Sequence, residues 1–170
     1  MPALPLGKLE DNVRTGHVDT VLVAFTDMQG RLQGKRMHAK FFLDDVLHHG
    51  TDVASYLLAT DADMNLSTGY QDVSWATGYG DYVLRPDLQT LRPAPWLPST
   101  AIVQCDVLNR DGTTVLFSPR QILAHQVEVL QGQPFGCIGY AGTELEFRLF
   151  GESYQEAWKQ GYQNLTPANR

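Results

Sequence analysis

The stretch of this chain best suited to chemistry is Gly142-Thr-Glu-Leu-Glu-Phe-Arg-Leu-Phe150, in which apolar and charged residues alternate. A period of two is the pattern of a β-strand, whose side chains leave opposite faces in turn. Thr143, Leu145, Phe147 and Leu149 then share one face, and Glu144, Glu146 and Arg148 the other. Two glutamates spaced this way stand about 7 Å apart, close enough to serve one divalent cation or two neighbouring ones. Hard carboxylate oxygens in a chain with few histidines suit Mg2+ or Mn2+. The same spacing also describes the solvent face of an ordinary amphipathic strand, and the pattern by itself leaves both readings open.

Other reactive templates are missing from the sequence. It has no Walker phosphate loop, no GxGxxG after a strand, no HExxH and no GxSxG elbow. His48 and His49 are adjacent on a predicted helix and point different ways, which does not suit shared metal ligation. Cys105 and Cys137 lie far apart in apolar surroundings and are expected as reduced core residues. Between Thr60 and Gly80 lies an aperiodic stretch holding Asp61, Asp63 and Asp72, with Tyr70, Trp75 and Tyr79 interleaved. Connections this long in a compact domain are often binding loops.

The elements that must position these residues follow from local pattern. Residues 1–16 read as an arm or short helix. Val18 to Thr26 is rich in β-branched residues and predicts a strand; Asp27-Met-Gln-Gly30 predicts a turn, and Arg31 to Met37 a returning strand. Ala39 to His49 places Phe42, Leu43, Val46 and Leu47 on one helical face, closed by Gly50. Further strands are expected at Asp81–Arg85 and Thr100–Val107. Ser118-Pro119 then opens a helix with a buried stripe of Ile122, Leu123, Val127 and Leu130, ending at Gly132. Strands are expected at 137–140 and 143–150, and Ser153 to Glu156 is a capping box for a last short helix. The domain plan is an arm at 1–16, a sheet domain at 17–113 and a second unit at 114–170.

The 170 residues carry 43% hydrophobic and 19% charged side chains, the balance of a globular chain. A formal net charge of −6 argues against a nucleic-acid partner. Arg31, Lys35, Arg36 and Lys40 form a basic cluster best read as a solvated hairpin and helix start. No apolar run is long enough to span a membrane and the N-terminus lacks a signal pattern, so a cytoplasmic setting is expected.

Several ordered segments together resemble the glutamine synthetase family. The 142–150 segment is similar to that family's Gly-x-Glu-x-Glu-Phe-x-Leu-Phe strand. Phe25-Thr-Asp-Met-Gln-Gly-Arg-Leu-Gln-Gly-Lys35, Asp81-Tyr-Val-Leu-Arg-Pro-Asp87, Ile102-Val-Gln-Cys-Asp106 and the helix at Ser118-Pro119-Arg120 match its N-terminal region in the same order. The resemblance implies an α+β architecture, with a β-grasp N-terminal domain followed by a truncated start of the catalytic barrel. It implies an ATP-dependent ligase that joins glutamate to ammonia or an amine through γ-glutamyl phosphate, with Glu144 and Glu146 as metal ligands for Mg2+ or Mn2+ and ATP as co-substrate. It also implies a homo-oligomer whose active site lies between subunits. The family's other metal and phosphate ligands fall in a longer catalytic domain, so this stretch by itself is expected to be catalytically incomplete. The ammonia-using members carry Asp-Gly-Ser-Ser in the long loop, whereas this chain has Asp61-Ala-Asp-Met-Asn-Leu-Ser-Thr-Gly69. Asp61 and Asp63 are the candidates for an amine or ammonium site, since a carboxylate stabilises an ammonium and takes its proton. The other reading is a non-catalytic β-grasp module that associates with an intact relative.

Overall fold

The computed structural model describes residues 3–70, 73, 74, 76 and 78–168. The chain divides into two compact units, Met1–Cys137 and Ile138–Arg170. The first contains a mixed sheet with helices against it. Its strands are β1 (Thr20–Thr26), β2 (Leu32–His38), β3 (Thr51–Ala54), β4 (Asp81–Pro86), β5 (Arg92–Pro93) and β6 (Thr100–Leu108). They lie in the order β2-β1-β6-β4-β3, with β5 also paired to β6.

Alternation along β1 divides its side chains between two faces. Val21, Val23 and Phe25 enter the main core, and Leu22 and Ala24 join a smaller cluster with Ala94 and Ile102 on the opposite face. β6 reads TAIVQCDVL and is buried along most of its length, as a central strand covered on both faces should be. It runs parallel to β1 and antiparallel to β4 and β5. Cys105, on β6, is a core residue as expected, and burial pushes its thiol up to about 12.

The expected hairpin forms, with β1 and β2 in register from Thr20↔His38 to Thr26↔Leu32. Gly34 opposes Ala24 in that ladder, and a Cβ at Gly34 would lie 2.0 Å from the Val23 carbonyl oxygen. The helix after the hairpin runs through Ala39–Phe41, a π-helical turn at Phe42–Val46, and Leu47–His49. It buries Ala39, Phe42 and Val46, and Gly50 ends it at φ +75. β3, which follows at once, is too short for periodicity to reveal and exists through its pairing with β4. At the N-terminus the arm contains a helix, Leu6–Arg14, with Leu9 fully buried.

Three expectations about the later chain are corrected, two of them around the Pro119–Gln131 helix and the third in the second unit. The Pro119–Gln131 helix forms where its start signals place it, but the stripe predicted to be buried is not: Ile122 is 44%, Leu123 66% and Val127 41% exposed. The contact that ties this helix to the sheet is polar. Arg120 donates from Nε to Asp106 Oδ1 at 2.9 Å and from Nη1 to Gln104 Oε1 at 3.1 Å, and its Nη2 pairs with Asp87. Cys137 is exposed rather than a core residue, because no packed element covers the turn after this helix among the described residues.

The second unit contains the Tyr154–Lys159 helix, opened by the expected capping box between Ser153 and Glu156. The strands expected at 137–140 and 143–150 do not form. A strand persists only where its backbone N–H and C=O groups find a partner ladder, and among the described residues the pairing here is limited to a bridge between Phe150 and Pro167 with flanking bonds from Gly151 to Thr166 and Ala168 to Leu149. Among the described residues no helix is long and apolar enough to cross a membrane.

Candidate functional site

A polar constellation in the first unit starts at the hairpin turn. Asp27 is fully buried, and both of its carboxylate oxygens are engaged. Oδ1 accepts from the Gln29 and Arg31 amides at 3.0 and 2.9 Å. Oδ2 accepts from Arg31 Nε at 2.8 Å and Gln33 Nε2 at 3.0 Å. Burial pushes this carboxyl up, but the donors from Gln33, Arg31 and Gln29 outweigh it and leave Asp27 below the ordinary carboxylate range. A buried charge is tolerated when it is paired and hydrogen-bonded in this way.

Arg31 extends the network to the long loop. Its Nη1 donates to the Ala62 carbonyl at 2.7 Å and its Nη2 to the Asp61 carbonyl at 2.9 Å. From the same hairpin, Gln33 Nε2 approaches Met64 Sδ at 3.3 Å. The basic cluster expected to be plain solvated surface therefore contains one arginine that is half-buried and bridges two segments. The signal available in the sequence was the Asp27-to-Arg31 spacing across a four-residue turn.

The loop segment held by Arg31 is a closed turn between Thr60 and Leu66, which form an isolated bridge. Asp61 organises it. Oδ1 accepts from the amides of Asp63 and Asn65, both at 2.9 Å, and Oδ2 from Asn65 Nδ2 at 3.3 Å. The Asn65 amide is the main cause that holds the Asp61 carboxyl below the usual range. The two acids proposed for the amine site thus differ in circumstance. Asp61 is occupied with the turn, whereas the Asp63 side chain is exposed and has no hydrogen-bond partner among the described residues. Asp72 and Trp75 lie outside the described residues.

A cavity of about 250 Å³ is walled by Met28, Leu58, Ala59, Tyr70, Val73 and Phe117. Two of these residues belong to the elements that carry the acidic turn: Met28 follows Asp27, and Ala59 accepts from the Ser67 amide at 2.9 Å to close the loop base. Tyr79 stacks edge-on against Tyr56, ring centroids 6.2 Å apart.

Glu144 and Glu146 lie in the second unit, on the irregular stretch before Phe150, and both are exposed. Among the described residues no three His, Cys, Asp or Glu side chains gather as a metal group requires. The two glutamates by themselves do not make a metal centre. His49 is likewise committed elsewhere, with Nδ1 3.0 Å from Asp45 Oδ1.

No family model matches the chain. Comparison with curated proteins finds the gamma-glutamylethanolamide synthetase GlnA4 of Streptomyces coelicolor, 52% identical over 169 residues, covering 99% of this chain and 36% of that protein. The glutamate–isopropylamine ligase of a Pseudomonas species is 30% identical over 163 residues, covering 96% of this chain and 35% of its own length. The chain therefore spans about a third of the length of these relatives. Among solved structures, a GmaS/ADP complex superposes with a TM-score of 0.56 at 24% identity, over 74% of this chain and 26% of that one. At that identity the likeness speaks for the fold.

Proposed function

Because the chain belongs to the glutamine synthetase family over the stretch it spans, we propose that it is the N-terminal part of an ATP-dependent ligase that joins the γ-carboxyl of glutamate to an amine. The observation that carries the reading is the acidic turn, in which Asp61 is fully engaged in holding the loop and Asp63 presents a carboxylate with no partner among the described residues. A carboxylate in that situation pairs with an alkylammonium, and it accepts the proton that the nitrogen must lose before it attacks an activated acyl group. ATP supplies the activation by forming γ-glutamyl phosphate, so that phosphate leaves as the C–N bond forms.

A carbon-bearing amine is a better acceptor than ammonia on this reading. The apolar cavity bounded by Met28 and Ala59 is smaller than the roughly 300–1,000 Å³ of drug-sized pockets and suits a substituent of a few carbons. Bare ammonium gains nothing from an apolar wall. The two relatives named above, an ethanolamide synthetase and an isopropylamine ligase, agree with this choice.

Residues 17–113 are the β-grasp domain in this reading and 114–170 begin the catalytic domain. Glu144 and Glu146 contribute to a divalent-metal site whose other ligands come from outside this stretch. The assembled enzyme is a homo-oligomer working in the cytoplasm. The uncovered stripe on the Pro119–Gln131 helix favours association, and it is also what a non-catalytic module joining an intact relative would show. Amine-dependent ATP turnover separates the two readings.

The test is steady-state kinetics of the full-length ligase with glutamate, ATP and either ammonium, ethanolamine or isopropylamine. Asp63→Asn should raise KM for the preferred amine about tenfold or more, the loss expected for one charge-assisted hydrogen bond of about 1.5–3 kcal/mol. An unchanged amine KM would remove Asp63 from the site.

A further inference from the structure

The acidic turn contains the means to keep its own shape, but nothing within it decides where that shape sits. Asp61 closes the turn on the amides of Asp63 and Asn65, which leaves the turn as a small rigid body on a long loop. Its attachment to the sheet runs mainly through Arg31, with Gln33 Nε2 adding a weaker contact to Met64 Sδ at 3.3 Å. The guanidinium sends Nη1 to the Ala62 carbonyl at 2.7 Å and Nη2 to the Asp61 carbonyl at 2.9 Å, while Nε returns to Asp27 at 2.8 Å. Gln29 Oε1 accepts a longer bond from Nη2 at 3.3 Å. Asp27 is fully buried and pinned by two amides of its own turn. The order of command runs from buried Asp27 to Arg31, and from Arg31 to the two peptide units immediately before Asp63.

We infer that Arg31 is a positioning residue of the amine subsite, holding the Asp61–Asn65 turn so that the Asp63 carboxylate meets the incoming ammonium; this rests on the ligase reading above. Only a planar fork with several donors in fixed directions can bind a carboxylate and two carbonyls together. Lysine, a single charged nitrogen on a flexible stem, cannot reproduce it. The sensitivity is large because displacement of a reacting or binding group by about 1 Å can cost on the order of 100-fold.

The experiment has two arms. In the 170-residue chain, the amide signals of Ala62 and Asp63 belong to the peptide groups whose carbonyls Arg31 holds. Arg31→Met should shift both in NMR spectra. Lys35→Met removes the same charge from the same hairpin without touching the loop, since among the described residues Lys35 Nζ reaches only Thr51 Oγ1, at 3.5 Å, and should leave both signals in place. In the full-length ligase, Arg31→Met should raise KM for the amine about tenfold or more, with KM for ATP and glutamate within about twofold, on the positioning argument above. Arg31→Lys keeps a cation beside Asp27 and should move amine KM in the same direction by less, which covers the case in which the methionine variant fails to fold.

Unshifted amide signals would overturn the inference, and so would an unchanged amine KM in a variant whose signals have moved. A parallel rise in all three KM values would show a general structural role and overturn it as well. A wild-type ligase with no amine-dependent turnover would defeat the functional reading and this inference with it. That outcome is distinct from a working ligase that ignores Arg31→Met.

Discussion

Asp27→Asn is the most informative single change in the first unit. The substitution keeps the shape of the side chain and removes its charge. Asparagine Oδ1 can still accept from the Gln29 and Arg31 amides, so the turn itself should survive. The other terminus becomes an NH2 donor facing two donors, Arg31 Nε at 2.8 Å and Gln33 Nε2 at 3.0 Å, where a carboxylate oxygen had accepted from both. Two charge-assisted bonds are lost, each worth roughly 1.5–3 kcal/mol before solvent repays part of the loss. Breaking a fully buried pair costs about 3–5 kcal/mol. Here the Arg31 side chain is 32% exposed, so water recovers some of its hydration, and roughly 2–4 kcal/mol is the expected destabilisation. Urea titration followed through the amide signals of Val21 and Val23 reads this in the first unit alone. With a urea slope of about 2 kcal/mol per molar, the middle of the range for small proteins, the midpoint should fall by about 1–2 M.

The pH dependence adds a second reading from the same residue. The folded Asp27 carboxyl lies below its ordinary value of 3.8, because the donors around it outweigh burial. Its contribution to stability is therefore complete above the unfolded value and is lost as the pH falls through the lower folded one. Wild type should lose stability over that acid window, and Asp27→Asn should lose less. A destabilisation below about 0.5 kcal/mol, the range of ordinary surface substitutions, or an acid slope equal to that of wild type, would refute the view that this carboxylate anchors the hairpin.

Two more predictions concern backbone approach and helix docking. Gly34→Ala puts a Cβ 2.0 Å from the Val23 carbonyl oxygen at φ +154 and should cost more than about 3 kcal/mol, whereas Gly30→Ala, at φ +80 with open space around it, should cost about 1–2 kcal/mol; equal losses in urea unfolding would contradict the close-approach argument. Arg120→Met leaves Asp87, Asp106 and Gln104 without their shared donor. Because Asp106 is 44% exposed, the cost should be about 1–2 kcal/mol, with faster amide exchange in the first turn of the Pro119–Gln131 helix as the readout.

Much of the local structure was legible because its causes are local. The Asp27–Gly30 turn, the Gly50 helix end, the start at Ser118-Pro119 and the Ser153–Glu156 capping box each depend on residues within four positions of one another. The family likeness was legible for a different reason, as several segments recur in the same order. The site was only partly so. Asp61 and Asp63 were singled out together, and nothing in their spacing distinguished the carboxylate that closes the turn from the one left outward.

What the amino-acid order determined, then, was where turns, caps and amphipathic runs begin and end, and which acids are available for chemistry. Tertiary structure alone decided which runs become strands. β3 exists because β4 lies beside it, while the better-patterned 143–150 segment has no ladder to join among the described residues and stays irregular. It also decided that Arg31 should be a clamp rather than a surface charge, because Asp61 and Ala62, thirty and thirty-one residues away in sequence, are brought within hydrogen-bond reach. Hydrogen bonds across a few residues can be read from composition and spacing. Partners supplied by a distant segment exist only after the chain has folded.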